Sequence, residues 1–94
     1  MEKEPLSAYA VAQAALERKD ELSLAQIHFF VQKLEELGIP VCPVNFRDLS
    51  VKWTECFSVT DTGKLSRGTA FETFPKAHLP DEARIALDSA FPQK

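Results

Sequence analysis

The chain has 94 residues, of which 45% are hydrophobic and 27% are charged, and its formal net charge is −3. This composition is typical of one globular domain, which we predict to span residues 1–94, and its acidity disfavours non-specific nucleic-acid binding, which depends on Lys and Arg neutralising phosphates. No apolar run approaches the length of a membrane span or a signal-peptide core, so we predict a cytoplasmic protein without membrane contact.

The first predicted helix covers residues 7–19. Alanine, the strongest helix former, is frequent there, and Tyr9, Ala12 and Leu16 recur at helical spacing. A face built mostly of alanine lets another helix approach closely but contributes little apolar area.

The second predicted helix, residues 23–37, has strong signals at both ends. Ser23 and Gln26 form an S-x-x-Q capping box at its start. At its end, Gly38 suits the left-handed position and Pro40 forbids continuation. An apolar stripe is expected to face the core, formed by Leu24, Ile27, Phe30, Val31, Leu34 and Leu37.

Phe29 lies nearly opposite this stripe, in the neighbourhood of Lys33 and Glu36. Two interpretations stay open. Either Phe29 packs beneath another helix, or it is exposed and serves as an aromatic contact for a partner.

A proline-rich connector follows the second helix. Pro40 and Pro43 bias the residues before them towards extended conformations. We therefore predict at most one helical turn here, at residues 45–49.

Residues 51–74 are predicted to form an antiparallel hairpin. The segment "TDTGK" suits a tight loop with Gly63 in the left-handed position, which pairs Thr60 with Lys64. The expected register places Val59 opposite Leu65, Phe57 opposite Arg67, Glu55 opposite Thr69, Trp53 opposite Phe71 and Lys52 opposite Glu72. Alternation then gives one apolar face, formed by Val51, Trp53, Phe57, Val59, Leu65 and Phe71. Glu55 interrupts this face, and we expect Arg67 to form a salt bridge with it.

The last predicted helix begins near Pro80 and ends before Pro92, with Asp81 and Glu82 at the positive end of the helix dipole. Its apolar row comprises Leu79, Ala83, Leu87, Ala90 and Phe91. Ile85 lies off this row and, like Phe29, is either core or a partner contact.

The predicted fold class is α+β: two N-terminal helices, a proline-rich connector, one antiparallel β-hairpin and a C-terminal helix around a single small core. A two-stranded hairpin needs a helical layer against its apolar face. We expect the second helix to supply that layer and the last helix to close the core. This order of elements is winged-helix-like. The termini, residues 1–6 and 92–94, are expected to be flexible.

Catalytic and metal-binding motifs are missing from the sequence. His28, His78, Cys42 and Cys56 lack the closely paired spacing of a structural zinc site, and without an export signal both cysteines are expected to be free thiols of the core type. No nucleophile motif, phosphate-binding loop or dinucleotide fingerprint is present. We therefore predict a non-enzymatic protein with no catalytic residue, metal or cofactor.

The opening helices resemble a known family. Ala8, Val11, Ala12 and Leu16, followed by "LSLAQIHFFVQ" at residues 22–32, are similar to the first two helices of the Panacea-type antitoxin domain. That family tends to have Lys-Leu-Leu-Tyr where this chain has residues 28–31, and its downstream Gly-Pro region is missing here. The resemblance implies a regulator that acts by binding a partner.

Two functions are compatible with these observations. The first is a protein-binding regulator (an inhibitor, antitoxin-like protein or adaptor) that occupies the surface of a partner protein; its predicted contact residues are Phe29, Lys33, Glu36 and Ile85. The alternative is a winged-helix nucleic-acid-binding regulator; its predicted contact residues are Arg47, Lys64 and Arg67. The partner's identity is open, and so is a homodimer.

Overall fold

The structure is a computed structural model that describes residues 5–76 and 78–92. Within them it has four α-helices and a three-stranded antiparallel sheet, as the α+β prediction requires. In chain order the elements are α1 (Ala8–Leu16), β1 (Glu21–Leu22), α2 (Leu24–Glu36), α3 (Phe46–Lys52), β2 (Phe57–Val59), β3 (Leu65–Arg67), a 3-10 turn (Phe71–Thr73) and α4 (Asp81–Ala90). The winged-helix-like order is matched only loosely, because an added strand and an added helix interrupt it.

The predicted flexible ends fall largely outside the described residues, since residues 1–4 and 93–94 are not among them. Leu6, at the inner edge of the first end, is paired through its backbone. Its N–H donates to the carbonyl of Pro40 at 3.0 Å, and its own carbonyl accepts from the N–H of Cys42 at 2.8 Å. The chain entering α1 is thereby joined to the proline-rich connector.

Helix α1 is the centre of the core. Ser7 caps its start by accepting a hydrogen bond from the N–H of Ala10, and every residue from position 10 to 16 is buried. A helix that is buried on nearly all sides is stable only inside a domain, and the alanines of α1 let several elements approach it at once. The helix ends at Leu16, earlier than the predicted residue 19.

Rings of the hairpin region pack against α1. The ring centroid of Tyr9 lies 5.7 Å from that of Phe57 and 5.1 Å from that of Trp53. We expected α2 to cover the apolar face of the hairpin. Instead, α2 packs most extensively on α4, and the ring centroids of Phe30 and Phe91 lie 5.7 Å apart. The small alanine side chains of α1 explain the difference, because they leave room for the large hairpin rings.

Both predicted ends of α2 are confirmed. The N–H of Ser23 donates to Oε1 of Gln26 at 2.8 Å, and the N–H of Gln26 donates to Oγ of Ser23 at 3.2 Å, which completes the capping box. Gly38 has φ 78°, and the N–H of Ile39 donates to the carbonyl of Leu34 at 3.0 Å, as in a Schellman motif.

The buried stripe of α2 is narrower than predicted. Ile27, Phe30 and Leu34 are buried and Val31 is half-buried. Leu24 and Leu37, at the two ends of the helix, are 51% and 42% exposed. The outer turns of α2 therefore extend beyond the surface that α1 and α4 cover.

The connector contains more helix than predicted. The expected turn at residues 45–49 is the start of α3, which continues to Lys52. The side chain of Asn45 caps the start of this helix by accepting from the N–H groups of Arg47 and Asp48. Val51 and Lys52 therefore belong to a helix rather than a strand, and Val51 is exposed.

The predicted turn and inner register of the hairpin are confirmed. Thr60 pairs with Lys64 and Gly63 has φ 82°, while Val59 lies opposite Leu65 and Phe57 opposite Arg67. The strands are only three residues long, so the outer strand pairs do not form. Phe71 is buried as predicted, but it lies in the 3-10 turn rather than on a strand.

The sheet also has a strand that the sequence did not indicate. Strand β1 pairs with β3, so the strand order is β1-β3-β2. Helix α4 follows Pro80 as predicted, and Ala83, Leu87 and Phe91 of its apolar row are buried.

Candidate partner-binding groove

An open groove of about 400 Å³ lies between the first half of α2 and the end of α4. Its lining residues are Lys19, Ala25, Gln26, Phe29, Ala90, Phe91 and Pro92. We refer to these seven residues as the Phe29 groove. Most of its lining is apolar, and its volume lies within the range of protein pockets that hold ligands or side chains.

The walls of the groove are held in place from below. The buried ring of Phe30 meets that of Phe91 edge to face, which joins α2 to α4. Arg18 adds a polar connection: its Nη1 atom lies 2.7 Å from Oδ1 of Asp88 and donates to the carbonyl of Phe91 at 3.2 Å. The shape of the groove is therefore fixed by contacts beneath it and beside it.

Phe29 is partly exposed, at 46% of its surface. Its ring is covered on one side by Lys33, whose Nζ atom lies 5.2 Å from the ring centroid. The same Nζ atom lies 3.8 Å from Oε2 of Glu36. A cation held over an aromatic ring is a favourable arrangement, so these three predicted contact residues form one connected cluster on the outer face of α2.

The fourth predicted contact residue, Ile85, is not part of this groove. It is 63% exposed, on a face of α4 that does not line the groove. A partner that touched both Phe29 and Ile85 would have to extend over α4. Helical spacing in the sequence places Phe29 and Ile85 away from the buried stripes of their helices. It does not show whether the exposed faces of the two helices lie next to each other.

The three residues predicted for nucleic-acid binding differ in how far they are available to a ligand. Arg47 in α3 and Lys64 in the hairpin loop are exposed. Arg67 is engaged within the chain: its Nε atom donates to the carbonyl of Leu16 at 2.7 Å and its Nη2 atom lies 3.8 Å from Oδ1 of Asp20. The expected salt bridge between Arg67 and Glu55 is thus replaced by a pairing with Asp20.

Of the seven groove residues, only Phe29 was predicted as a contact from the sequence. Lys19 was assigned to the end of the first helix, Gln26 to the capping box, Ala90 and Phe91 to the apolar row of the last helix, and Pro92 to a helix stop. No local signal identifies these positions as groove residues, because the groove forms only where α4 and the segment after α1 come together with α2.

A second cleft, of about 350 Å³, is polar. Its lining residues are Gln13, Glu17, Arg67, Phe71, Glu72 and Lys76. Nζ of Lys76 lies 2.8 Å from Oε1 of Glu17, and this hydrogen bond raises the pKa of the Lys76 ammonium. Cations and carboxylates neutralise one another here, so the cleft favours neither sign of ligand.

The two cysteines are free thiols in different surroundings: Cys42 is half-buried and Cys56 is buried. Burial raises the pKa of the Cys56 thiol, although a hydrogen bond with Tyr9 acts against it. The Tyr9 hydroxyl donates to the carbonyl of Pro75 at 2.6 Å, and its pKa is raised by burial and by Cys56. A buried thiol with a raised pKa is a poor nucleophile at neutral pH.

Metal ligation and membrane crossing find no support in residues 5–76 and 78–92. No group of three or more His, Cys, Asp or Glu side chains there is arranged to hold a metal ion. Of the helices within the same residues, none combines the length and the apolar character that a membrane crossing requires. Among the described residues, the Phe29 groove is the strongest candidate for a functional site.

No protein-family model matches this chain, and no curated protein or solved structure matches it either. The resemblance of residues 8–32 to the opening helices of the Panacea-type antitoxin domain accordingly stays a prediction.

Proposed function

We propose that this protein is a small non-enzymatic regulator that binds another protein and occupies part of its surface. The observation that carries the proposal is the position of Phe29, which is 46% exposed and lines an apolar groove with fixed walls. Exposed aromatic side chains beside apolar pockets are typical centres of protein interfaces, where a few such residues contribute most of the binding free energy.

The surroundings of Phe29 fit the polar rim of such an interface. Lys33 and Glu36 are paired with each other next to the ring, so a partner would meet an apolar centre bordered by charge. Inhibitors, antitoxin-like proteins and adaptors all act through contacts of this kind and need no catalytic group. The antitoxin-like resemblance of residues 8–32 agrees with this class of function.

The test compares two exposed apolar positions. The tagged protein and its Phe29→Ser and Val51→Ser variants are used to capture proteins from the native host, and the captured protein is then purified and titrated against each variant by calorimetry. Val51 is 69% exposed on α3, outside the groove, and serves as the matched control. We expect Phe29→Ser to weaken the partner's affinity at least about 10-fold, whereas Val51→Ser leaves it unchanged.

Equal binding by Phe29→Ser and the unmodified protein would contradict the proposal. Ile85→Ser measures how far the contact surface extends. A loss of affinity in this variant means that the partner also covers the outer face of α4, and no loss confines the contact to the groove.

Nucleic-acid binding is the second candidate. One observation favours it: α3 directly precedes the hairpin, is longer than the sequence indicated, and exposes Arg47. Anisotropy of a labelled random duplex, titrated at low and high salt, tests it. Binding that weakens steeply with salt, and weakens further in Arg47→Ala and Lys64→Ala, would favour this candidate over the first.

A further inference from the structure

The Phe29 groove offers hydrogen-bond donors and a positive charge to any occupant. Two polar side chains line it, Lys19 and Gln26. Lys19 is exposed and has no ion pair within residues 5–76 and 78–92. Oε1 of Gln26 is already occupied, because it accepts the N–H of Ser23 in the capping box. The NH₂ group of Gln26 is therefore available to donate a hydrogen bond. The ammonium group of Lys19 can only donate.

The residues that line the groove include one cation, Lys19, and no carboxylate, although the net charge of the whole chain is −3. Two carboxylates on the helices beside the groove pair with other cations: Asp88 of α4 pairs with Arg18 at 2.7 Å, and Glu36 of α2 lies 3.8 Å from Lys33.

We infer that the groove binds an apolar peptide segment of the partner that carries a carboxylate, and that this carboxylate pairs with Lys19. The inference rests on the proposed function and specifies the chemistry of its partner. Apolar side chains of the segment would fill the space between Ala25, Phe29 and Ala90, which is large enough for a few side chains but not for a folded element.

Charge complementarity decides between acidic and basic segments. A binder that covered Lys19 without a counter-charge would desolvate an ammonium group and lose affinity. A basic segment would in addition be repelled by Lys19. A carboxylate compensates the desolvation of Lys19 and can accept a hydrogen bond from the free amide of Gln26.

Selection from a random peptide-display library tests the inference without knowledge of the natural partner. The immobilised targets are the unmodified protein, Lys19→Glu, and Lys52→Glu as the matched control, since Lys52 is an exposed lysine at the end of α3, outside the groove. We expect peptides selected on the unmodified protein and on Lys52→Glu to combine bulky apolar residues with an adjacent Asp or Glu. Selection on Lys19→Glu should replace that acidic residue by Lys or Arg.

One selected peptide is then resynthesised with its acidic residue changed to the corresponding amide. Calorimetry should show at least about 5-fold weaker binding of the amide peptide to the unmodified protein, and no such difference for a Lys19→Met variant. Loss of binding to Phe29→Ser places the peptide in the groove. Circular dichroism of each variant verifies that it is folded.

The outcomes separate this inference from the proposed function. The charge inference is wrong if the selected peptides depend on Phe29 but have no preference for an acidic residue. It is also wrong if peptides selected on Lys19→Glu still prefer an acidic residue. Neither result contradicts the proposed binding of a partner protein. A library that yields no Phe29-dependent peptide also overturns the charge inference. A dimer in sedimentation experiments that Phe29→Ser dissolves would replace the peptide by a second copy of this chain. Failure of the proposed function is recognised separately, by captured partners that bind Phe29→Ser normally.

Discussion

Nε of Arg67 donates a hydrogen bond of 2.7 Å to the main-chain carbonyl of Leu16, the last residue of α1. The carbonyls of the last turn of a helix have no partner within the helix, and a cation placed there is favoured by the helix dipole. Arg67 also lies over the ring of Phe71, with 5.6 Å between Cζ and the ring centroid. One side chain of β3 thus connects the sheet, the central helix and the 3-10 turn.

Replacement of Arg67 by Ala should lower the free energy of unfolding by about 1–2 kcal/mol, because the charged hydrogen bond to Leu16 and the packing on Phe71 are both lost. Urea unfolding followed by the fluorescence of Trp53, the only tryptophan, measures the change. Lys64→Ala, at the exposed hairpin loop, is the control and should change stability by less than about 0.5 kcal/mol. Equal effects of the two substitutions would show that the contact with Leu16 contributes little.

Gly68→Ala is expected to be strongly destabilising, although φ at this position does not require glycine. A Cβ atom there would collide with the backbone carbonyl of Glu55 and lie 2.9 Å from the carbonyl carbon of Cys56. Backbone cannot move aside as a flexible side chain can, so we expect a loss of about 2–3 kcal/mol. Chemical denaturation measures it.

Gly63→Ala provides the comparison. Gly63 has φ 82°, and a Cβ atom added there would meet no atom within 4 Å, so the substitution costs only the left-handed backbone strain, about 1 kcal/mol. The prediction for Gly68 is wrong if the two alanine variants are equally stable.

The features that the sequence predicted well are those determined by adjacent residues. The capping box of Ser23 and Gln26 and the glycine end of α2 each need only a few neighbouring residues, and so does the turn at Gly63 that sets the hairpin register. Helix α3 was underestimated because the expectation rested on the prolines before it and did not use Asn45, which caps the helix. Strand β1 is two residues long, which is too short to show any periodicity.

The candidate site was predictable only in part, for a related reason. Helical spacing is enough to place Phe29 away from the core stripe, beside Lys33 and Glu36. The opposite wall depends on how α4 packs on α2, and that packing is set by contacts distant in sequence, such as Phe30 with Phe91. Ala90, Phe91 and Pro92 therefore could not be recognised as groove residues from the sequence.

The adjacent pair Phe29 and Phe30 should respond very differently to truncation. Phe30 is fully buried, so Phe30→Ala should lower the free energy of unfolding by about 3–5 kcal/mol. Phe29 is 46% exposed, and Phe29→Ala should lower it by less than about 1 kcal/mol. Denaturant titrations of both variants measure the contrast, and a large loss in Phe29→Ala would mean that Phe29 belongs to the core rather than to a contact surface.

Stability should fall on the alkaline side, through Cys56 and Tyr9. Burial raises the pKa of the Cys56 thiol above its ordinary 9.0, and burial together with Cys56 raises the pKa of the Tyr9 hydroxyl above its ordinary 10.0. The folded protein thus holds both groups neutral where the unfolded chain already ionises them. Their contribution to stability is complete below pH 9.0, the ordinary value for the thiol, and is lost as the pH rises through the raised values.

The urea midpoint of the unmodified protein should therefore be lower at about pH 10 than at about pH 7. This decrease should be smaller in Cys56→Ala. Comparison of the pH-dependent change within each variant removes the constant effect of deleting a buried side chain. Cys42→Ala, which removes a half-buried thiol, is the matched control, and its decrease should exceed that of Cys56→Ala. Pairing with Glu17 raises the Lys76 pKa and acts in the same direction, but both cysteine variants retain that pair. An identical alkaline decrease in Cys56→Ala and Cys42→Ala would show that the buried thiol is not its source.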